Sequence, residues 1–278
     1  METKATAQTR IRRILYEGSC YTDDQLATEE PLEIQLAYAL GEEYLMKNIS
    51  VTMRTPGDDK ELAVGFLFTE GIIRHPSQIQ QVGQSVLGCN RILVTLAHGV
   101  SPYLQSSERN FYTTSSCGIC GKNSIEAIKT ITPFPVTDDS IQVEASTICT
   151  LPALLKQQQL LFNNTGGMHA SALFDMNGNF MMLKEDVGRH NALDKLIGYA
   201  FLNEQLPLQN SILLLSGRAS FELIQKASMA GIKIVAAIGA PSSLAVELAR
   251  ECNITLLGFV RSQQFNIYSG EQRISDDE

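Results

Sequence analysis

Apolar and polar side chains alternate along three stretches of the first hundred residues: Leu32, Ile34 and Leu36 around Glu33 and Gln35; then Ile49, Val51 and Met53; then Ile92, Val94 and Leu96. A period of two puts each set on one face of a β-strand. Between the second and third, Asp58-Asp59-Lys60-Glu61 has the spacing of a capping box, and Leu62, Phe66 and Leu67 predict a helix that runs to Gly71. Met53-Arg54-Thr55-Pro56-Gly57 reads as a strand entering a tight turn.

Past residue 140 the pattern becomes strand and helix in alternation. Asn177-Gly178 predicts a hairpin turn between Ala172-Leu173-Phe174 and Phe180-Met181-Met182-Leu183. Asn191 to Asn203 is amphipathic through Leu193, Leu196, Ile197 and Ala200. Ile212 to Leu215 and Ile234 to Ile238 are short, wholly apolar strands. Helices are expected over Phe221 to Ala230 and from Pro241-Ser242-Ser243 through Leu244 and Leu248, before a last strand over Ile254 to Val260. Such strands are buried on both faces, so this half is a sheet sandwiched by helices, an α/β domain. The expected division is a smaller β-rich domain with one helix over residues 1–115 and an α/β domain over 116–278.

Composition narrows the function classes. The chain has 278 residues, 44% of them apolar, and a formal charge of -8, which argues against bulk nucleic-acid binding. No run of eighteen apolar residues occurs and Met1 to Arg13 is polar, so neither a membrane span nor a secretory signal is expected, and the cytoplasm is the expected compartment. The six cysteines lack the spacing of a disulfide framework and fit reduced thiols.

Two of those thiols stand together in Cys117-Gly118-Ile119-Cys120, flanked by Ser115-Ser116 and Gly121-Lys122. A short helix is expected from about Ser124 to Thr130, which places the pair near a helix N-terminus and beside the Lys122 ammonium, both of which favour the thiolate. Structural zinc would want a second pair of ligands, and Cys20, Cys89, Cys149 and Cys252 are scattered singly. A thioredoxin-like exchange would want the pair in an early βαβ unit. Metal, redox and sulfur chemistry all remain open on the pair alone.

In α/β sheets ligands collect at the carboxyl ends of strands. Ser216-Gly217-Arg218 and Gly239-Ala240-Pro241-Ser242 each follow a buried strand, and either turn could hold a phosphate, with Arg218 supplying the cation. Gly166-Gly167-Met168-His169-Ala170 and Glu185-Asp186-Val187-Gly188-Arg189-His190-Asn191 concentrate polar groups at the mouth of the hairpin. Lys184 and Lys195 read as a strand end and a helix surface. The His-x-Glu spelling of a zinc deaminase is absent, because His169-Ala170-Ser171 lacks the carboxylate.

Taken together, Met53-Arg54-Thr55-Pro56-Gly57-Asp58-Asp59, Cys117-Gly118-Ile119-Cys120-Gly121, Gly167-Met168-His169-Ala170 and the string from Glu185 to Lys195 closely resemble the formate dehydrogenase accessory sulfurtransferase (FdhD) family over about residues 30–275. Ser216-Gly217-Arg218 and Gly258-Phe259-Val260-Arg261 match family positions as well. The resemblance implies a sulfur carrier that takes sulfur from a cysteine desulfurase as a persulfide and passes it to the molybdenum of bis-molybdopterin guanine dinucleotide, which formate dehydrogenase then receives. It implies an α/β half of cytidine-deaminase-like, three-layer fold, and a homodimer. By the same analogy Cys117 carries the persulfide and Cys120 assists it. Phe259, Val260, Arg261, Ser262, Gln263 and Gln264, with Ser216, Arg218, His169, Arg189 and His190, are the cofactor-binding candidates, and no metal ligands are assigned. Ser262-Gln263-Gln264 departs from the family, whose members often carry glycine and a further arginine before the aromatic here occupied by Phe265, so phosphate contact is expected to be weaker there. Two other readings compete: a non-enzymatic chaperone for the molybdenum cofactor, and a CxxC metal or redox protein.

Overall fold

The computed structural model describes residues 5–41, 43–85, 88, 90–104, 132–134 and 141–276. The Cys117–Cys120 pair and the helix expected over Ser124 to Thr130 lie outside the described residues.

The chain opens with a two-stranded antiparallel ribbon, β1 (Thr6–Leu15) and β2 (Gly18–Ala27). Next come β3 (Glu30–Leu40), β4 (Glu43–Arg54), helix α1 (Asp59–Thr69), β5 (Ile79–Gln84) and β6 (Arg91–Leu96). Strands β3 to β6 form a four-stranded sheet of order β4-β3-β6-β5; the alternating pattern predicted β3, β4 and β6, and β5 is a further strand. Leu32, Ile34, Leu36, Ile92, Val94 and Leu96 are all buried. Val51 and Met53 are not: a bulge opposite Ile34/Gln35 leaves Ile49 without a partner in the register, which pairs Gln35 with Asn48 and Ile34 with Ser50. One extra residue reverses the alternation. Ile49, Ser50 and Arg54 are therefore buried, and Val51 and Met53 face outward.

The second half comprises β7 (Val143–Glu144), α2 (Ala145–Gln158), α3 (Leu160–Thr165), β8 (His169–Asp175), β9 (Phe180–Asp186), α4 (Arg189–Leu202) and β10 (Ser211–Leu215). It continues through α5 (Phe221–Met229), β11 (Ile234–Ala237), α6 (Ser243–Glu251), β12 (Thr255–Gly258), β13 (Asn266–Ser269) and β14 (Ile274–Ser275), which pairs with β7. Six strands make one sheet, β13-β12-β11-β10-β8-β9, with β10, β11 and β12 parallel and β8 and β13 running against their neighbours. Leu173, Leu213, Leu215, Val235, Ala237 and Leu256 face a core shared with α4, α5 and α6. Ala170, Ala172, Phe174, Ile212, Leu214, Ile234 and Ala236 face Ile148, Leu151 and Leu155 of α2. Helices thus cover both faces, as strands apolar on both sides require.

The first core runs without a break into the N-terminal sheet through α1. Helices α1 and α4 cross at two glycines. A Cβ on Gly65 would stand 1.9 Å from the Asp194 carbonyl oxygen, and one on Gly198 would stand 1.9 Å from that of Glu61. Only hydrogen at both positions lets the backbones approach so closely. Covered by the sheet on one side and α1 on the other, α4 is buried nearly all round rather than amphipathic.

Two helix starts differ from expectation. Asp58 takes the N-cap of α1 in a left-handed conformation, φ 55°, with no side-chain cap bond, so the capping box does not form. Its carboxylate instead pairs with Lys184 at 2.8 Å, and Asp59 pairs with Arg54. In α6, Ser242 caps Ala245 N–H as the spacing suggests, but Leu244 points to solvent while Ala245, Leu248 and Ala249 form the buried face.

Candidate functional site

The strand order brings one end of each central strand to a common edge. The last residues of β9, β10, β11 and β12 lie there with the first residue of β8, His169, which pairs with Asp186. The sequence had placed its candidates on five separate segments, and His169, Arg189 and His190, Ser216 to Arg218, Gly239 to Ser242, and Gly258 to Gln264 all meet along this edge.

Backbone hydrogen bonds stitch the turns together. Gly239 N–H donates to the Gly217 carbonyl at 2.9 Å, Ala219 N–H to Ala240 at 3.2 Å, Ser242 N–H to Ala219 at 3.0 Å and Phe259 N–H to Gly239 at 3.1 Å. A Cβ on Gly239 would stand 2.9 Å from the backbone nitrogen and Cγ of Arg218, so these turns can approach only without a side chain there. Phe259 is left-handed, φ 54°, and its ring is exposed, an expensive conformation for an aromatic residue that the backbone bonds on either side hold in place.

The candidates divide by what their atoms already do. Val260 is core, and its N–H donates to Ala237 at 3.1 Å. Ser216 is spent on pairing: its hydroxyl accepts from Ala170 N–H at 2.8 Å. Arg261 Nη1 donates to the carbonyls of Ile238 and Val260 at 2.7 and 2.8 Å, so its guanidinium is pinned over the end of β11. Arg218 is exposed and makes no hydrogen bond or ion pair among the described residues. Ser262, Gln263 and Gln264 are exposed, and the Gln264 carbonyl accepts from Arg261 N–H at 2.8 Å.

Beside them, at the N-termini of α4 and α5, His190 Nε2 lies 3.0 Å from Glu222 Oε2 and 3.2 Å from Ser220 Oγ. Burial alone would raise the Glu222 carboxyl, but the bond and charge of His190, the Ser220 hydroxyl and the Arg189 charge together hold it below the usual range. His169 is held below the ordinary histidine value by burial and by the charges of Arg189 and His190, against an opposing pull from Asp186. Its imidazole is therefore neutral at pH 7. Arg189 Nε is buried with no partner among the described residues. Gly188 and Ser220, the N-caps of α4 and α5, make no side-chain cap bonds. Helix N-termini, an unspent guanidinium N–H and two further arginines give this edge the makings of an anion-binding surface on a chain of net negative charge.

Several residues of the long Glu185–Lys195 string build the frame instead. The Glu185 carboxylate accepts from Leu161 and Phe162 N–H at 3.0 and 2.9 Å, fixing α3. Asn191 joins Thr52, Met53 and Asp186. Lys195 is 1% exposed, not the helix surface residue its sequence position suggested, because α1 and the end of β4 close over it. Its ammonium lies 2.7 Å from Asp186 and 2.8 Å from the Thr55 carbonyl. Ser220, Glu222 and Thr55 were missed as partners, and no local pattern marks them, since each lies 30 or more residues from the side chain it meets.

The model of the FdhD/NarQ family matches residues 27–275, a span that contains the strand-end edge and the Cys117–Cys120 pair. The chain belongs to the FdhD/NarQ family. Relatives named sulfur carrier protein FdhD include that of Streptomyces coelicolor, 45% identical over 98% of this chain and 96% of that protein. The protein of the same name from Mycolicibacterium paratuberculosis is 44% identical over 98% of this chain and 99% of its own length. That of Picrophilus torridus is 44% identical over 91% and 93%. The fold matches the crystal structure of a formate dehydrogenase accessory protein from Desulfotalea psychrophila with a TM-score of 0.72, 24% identity, and coverage of 98% of this chain and all of that one. Among the described residues no group of three His, Cys, Asp or Glu side chains is arranged to hold a metal ion, and no helix is long and apolar enough to cross a membrane.

Proposed function

We propose that the protein is a sulfur carrier that serves formate dehydrogenase by sulfurating its molybdenum cofactor. The observation that carries the reading is the end-to-end similarity, 44–45% over 98% of the chain, to proteins named sulfur carrier FdhD.

Thiol chemistry supplies the steps. The Cys117 thiolate attacks the terminal sulfur of a cysteine desulfurase persulfide; that S–S bond breaks, the desulfurase cysteine leaves as a thiolate, and Cys117 becomes the persulfide. Attack by the Cys120 thiolate on the inner sulfur of Cys117 then forms the Cys117–Cys120 disulfide and releases the carried atom as sulfide. That sulfide is the ligand handed to the molybdenum of bis-molybdopterin guanine dinucleotide, which is the substrate. A dithiol reductant returns the disulfide to two thiols for the next cycle.

The strand-end edge holds the cofactor's dinucleotide phosphates in this reading. Arg218 and Arg261 make the charged contacts, Phe259 and the turn to Gln264 form the wall, and Arg189, His169 and His190 extend the surface toward the helix N-termini. A homodimer working in the cytoplasm, with the α/β half arranged as in cytidine deaminases, completes the proposal. Cys117→Ala should abolish maturation of formate dehydrogenase while GDP, as a probe for the dinucleotide, binds as before. Full maturation by Cys117→Ala would remove the carrier reading.

A further inference from the structure

Asp194 and Lys195 are neighbours on α4, and each is buried in an ion pair leading to different surroundings. Asp194 meets Lys226 of α5 at 2.9 Å and the Thr69 hydroxyl of α1 at 2.9 Å, so this pair lies among three helices. Lys195 meets Asp186 at the end of β9 and the Thr55 carbonyl just past β4.

Thr55 is fixed through all its polar atoms. Its N–H donates to Asp186 Oδ2 at 3.1 Å, its hydroxyl accepts from Val187 N–H at 3.3 Å, and that hydroxyl also lies 3.6 Å from Met168 Sδ. Asp186 Oδ1 accepts from Gly188 N–H at 2.8 Å and from Asn191 Nδ2 at 3.1 Å, and the same Asn191 amide donates to the Met53 carbonyl at 2.7 Å. One carboxylate thereby gathers the residue before Arg189, a residue of the first turn of α4, and the end of β4. Through Thr55 it reaches Met168, the residue before His169.

We propose that the Asp186–Lys195 pair is a positioning device for the strand-end site, holding His169 and the Arg189–His190 turn in register with each other, whereas the Asp194–Lys226 pair serves helix packing alone. Stability does not account for the first pair, because a buried ion pair roughly breaks even against apolar side chains of equal volume. Direction does: four donors converge on one carboxylate, and an apolar replacement fixes none of them. The inference rests on the reading of this edge as the anion-binding site.

The two pairs test each other. Asp186→Asn with Lys195→Met, and Asp194→Asn with Lys226→Met, each remove both charges of a pair, so neither leaves an unpaired charge in the core. GDP affinity by calorimetry, melting temperature, and the side-chain resonances of the four histidines across pH are measured for both, well below each melting point. The first variant should bind GDP at least about tenfold more weakly. Loss of the Asp186 charge by itself lowers the His169 titration, so a rise toward the ordinary value of about 6.5 is the expected mark of a loosened, rehydrated site. The second should match the parent in both, whatever its melting temperature. Should the first fail to fold, Asn191→Ala removes tethers without touching a charge and carries the same expectations. Unchanged GDP affinity with a His169 titration that stays or falls in the first variant, or equal changes in the two, would overturn the proposal. If the parent itself does not bind GDP, the nucleotide reading fails, and the His169 titration alone decides: a rise confined to the first variant supports positioning, and no change, or the fall that loss of the Asp186 charge alone causes, refutes it.

Discussion

Replacing Gly198 by alanine tests how α4 is held. The added methyl would start 1.9 Å from the Glu61 carbonyl oxygen, more than an ångström inside normal contact, with further atoms of α1 at 2.7 and 2.8 Å. These are backbone atoms, so no side chain can swing aside. The helices must part by about an ångström over a crossing that is buried throughout, where Leu62, Leu67, Phe68, Leu193, Ile197 and Phe201 share one core. Overpacking of this kind costs about 1–3 kcal/mol or more, and the upper end is expected here. At about 2–4 °C per kcal/mol for a chain of this size, the melting temperature should fall by about 6–12 °C. Urea unfolding with an unchanged slope checks that the native state alone is affected. Gly65→Ala should cost about the same, and the double variant less than the sum, because one separation relieves both contacts. Gly83→Ala, with nothing within 4 Å of the added methyl, is the control and should change stability by no more than about 0.5 kcal/mol. A Gly198→Ala protein within about 1 kcal/mol of the parent would refute the reasoning.

Other outcomes follow from the same geometry. Arg54 is 1% exposed and paired with Asp59 and Glu30, so Arg54→Met should destabilise by about 3–5 kcal/mol in urea titrations, mostly through the carboxylates left behind. Arg218→Gln should weaken GDP binding and flatten its salt dependence with stability unchanged within about 0.5 kcal/mol, whereas Arg261→Gln should also lose about 1–2 kcal/mol of stability with its bonds to Ile238 and Val260. His169 has a lowered value in the fold, so the unfolded chain binds the extra proton first: stability should be full above about 6.5 and fall as pH drops through it, and His169→Gln should flatten that slope. Glu222 is lowered as well, so its contribution should be present above its ordinary value and disappear as pH falls through the lower folded one; Glu222→Gln should remove that part of the acid limb.

Periodicity made most of the α/β half legible, because strands such as Ile212–Leu215 and Ile234–Ala237 are too apolar to lie anywhere but between two layers. It failed where one residue changes the phase, as at the bulge that turns Val51 and Met53 outward, and where two elements share a buried side, as α1 and α4 do. The β1–β2 ribbon was not marked by the pattern, since side chains exposed on both of its faces leave no alternation to read. At the site, the position after a buried strand pointed to Arg218 and the polar cluster at the hairpin mouth to His169 and Arg189, whereas Arg261 was singled out only by the family resemblance. What each does with its hydrogen bonds was not legible. Ser216 and Lys195 looked like a ligand contact and a surface charge, yet the first pairs strands and the second closes a buried network whose members, Thr55 and Asp186, lie 131 residues apart in the chain.

The carrier claim is tested most directly by incubating the purified protein with a cysteine desulfurase and cysteine, then recording the intact mass and mapping added sulfur by peptide mass spectrometry. One additional sulfur is expected on Cys117, removable by a thiol reductant and absent from Cys117→Ala. A protein whose Cys117–Cys120 segment stays unmodified while the desulfurase turns over would contradict it.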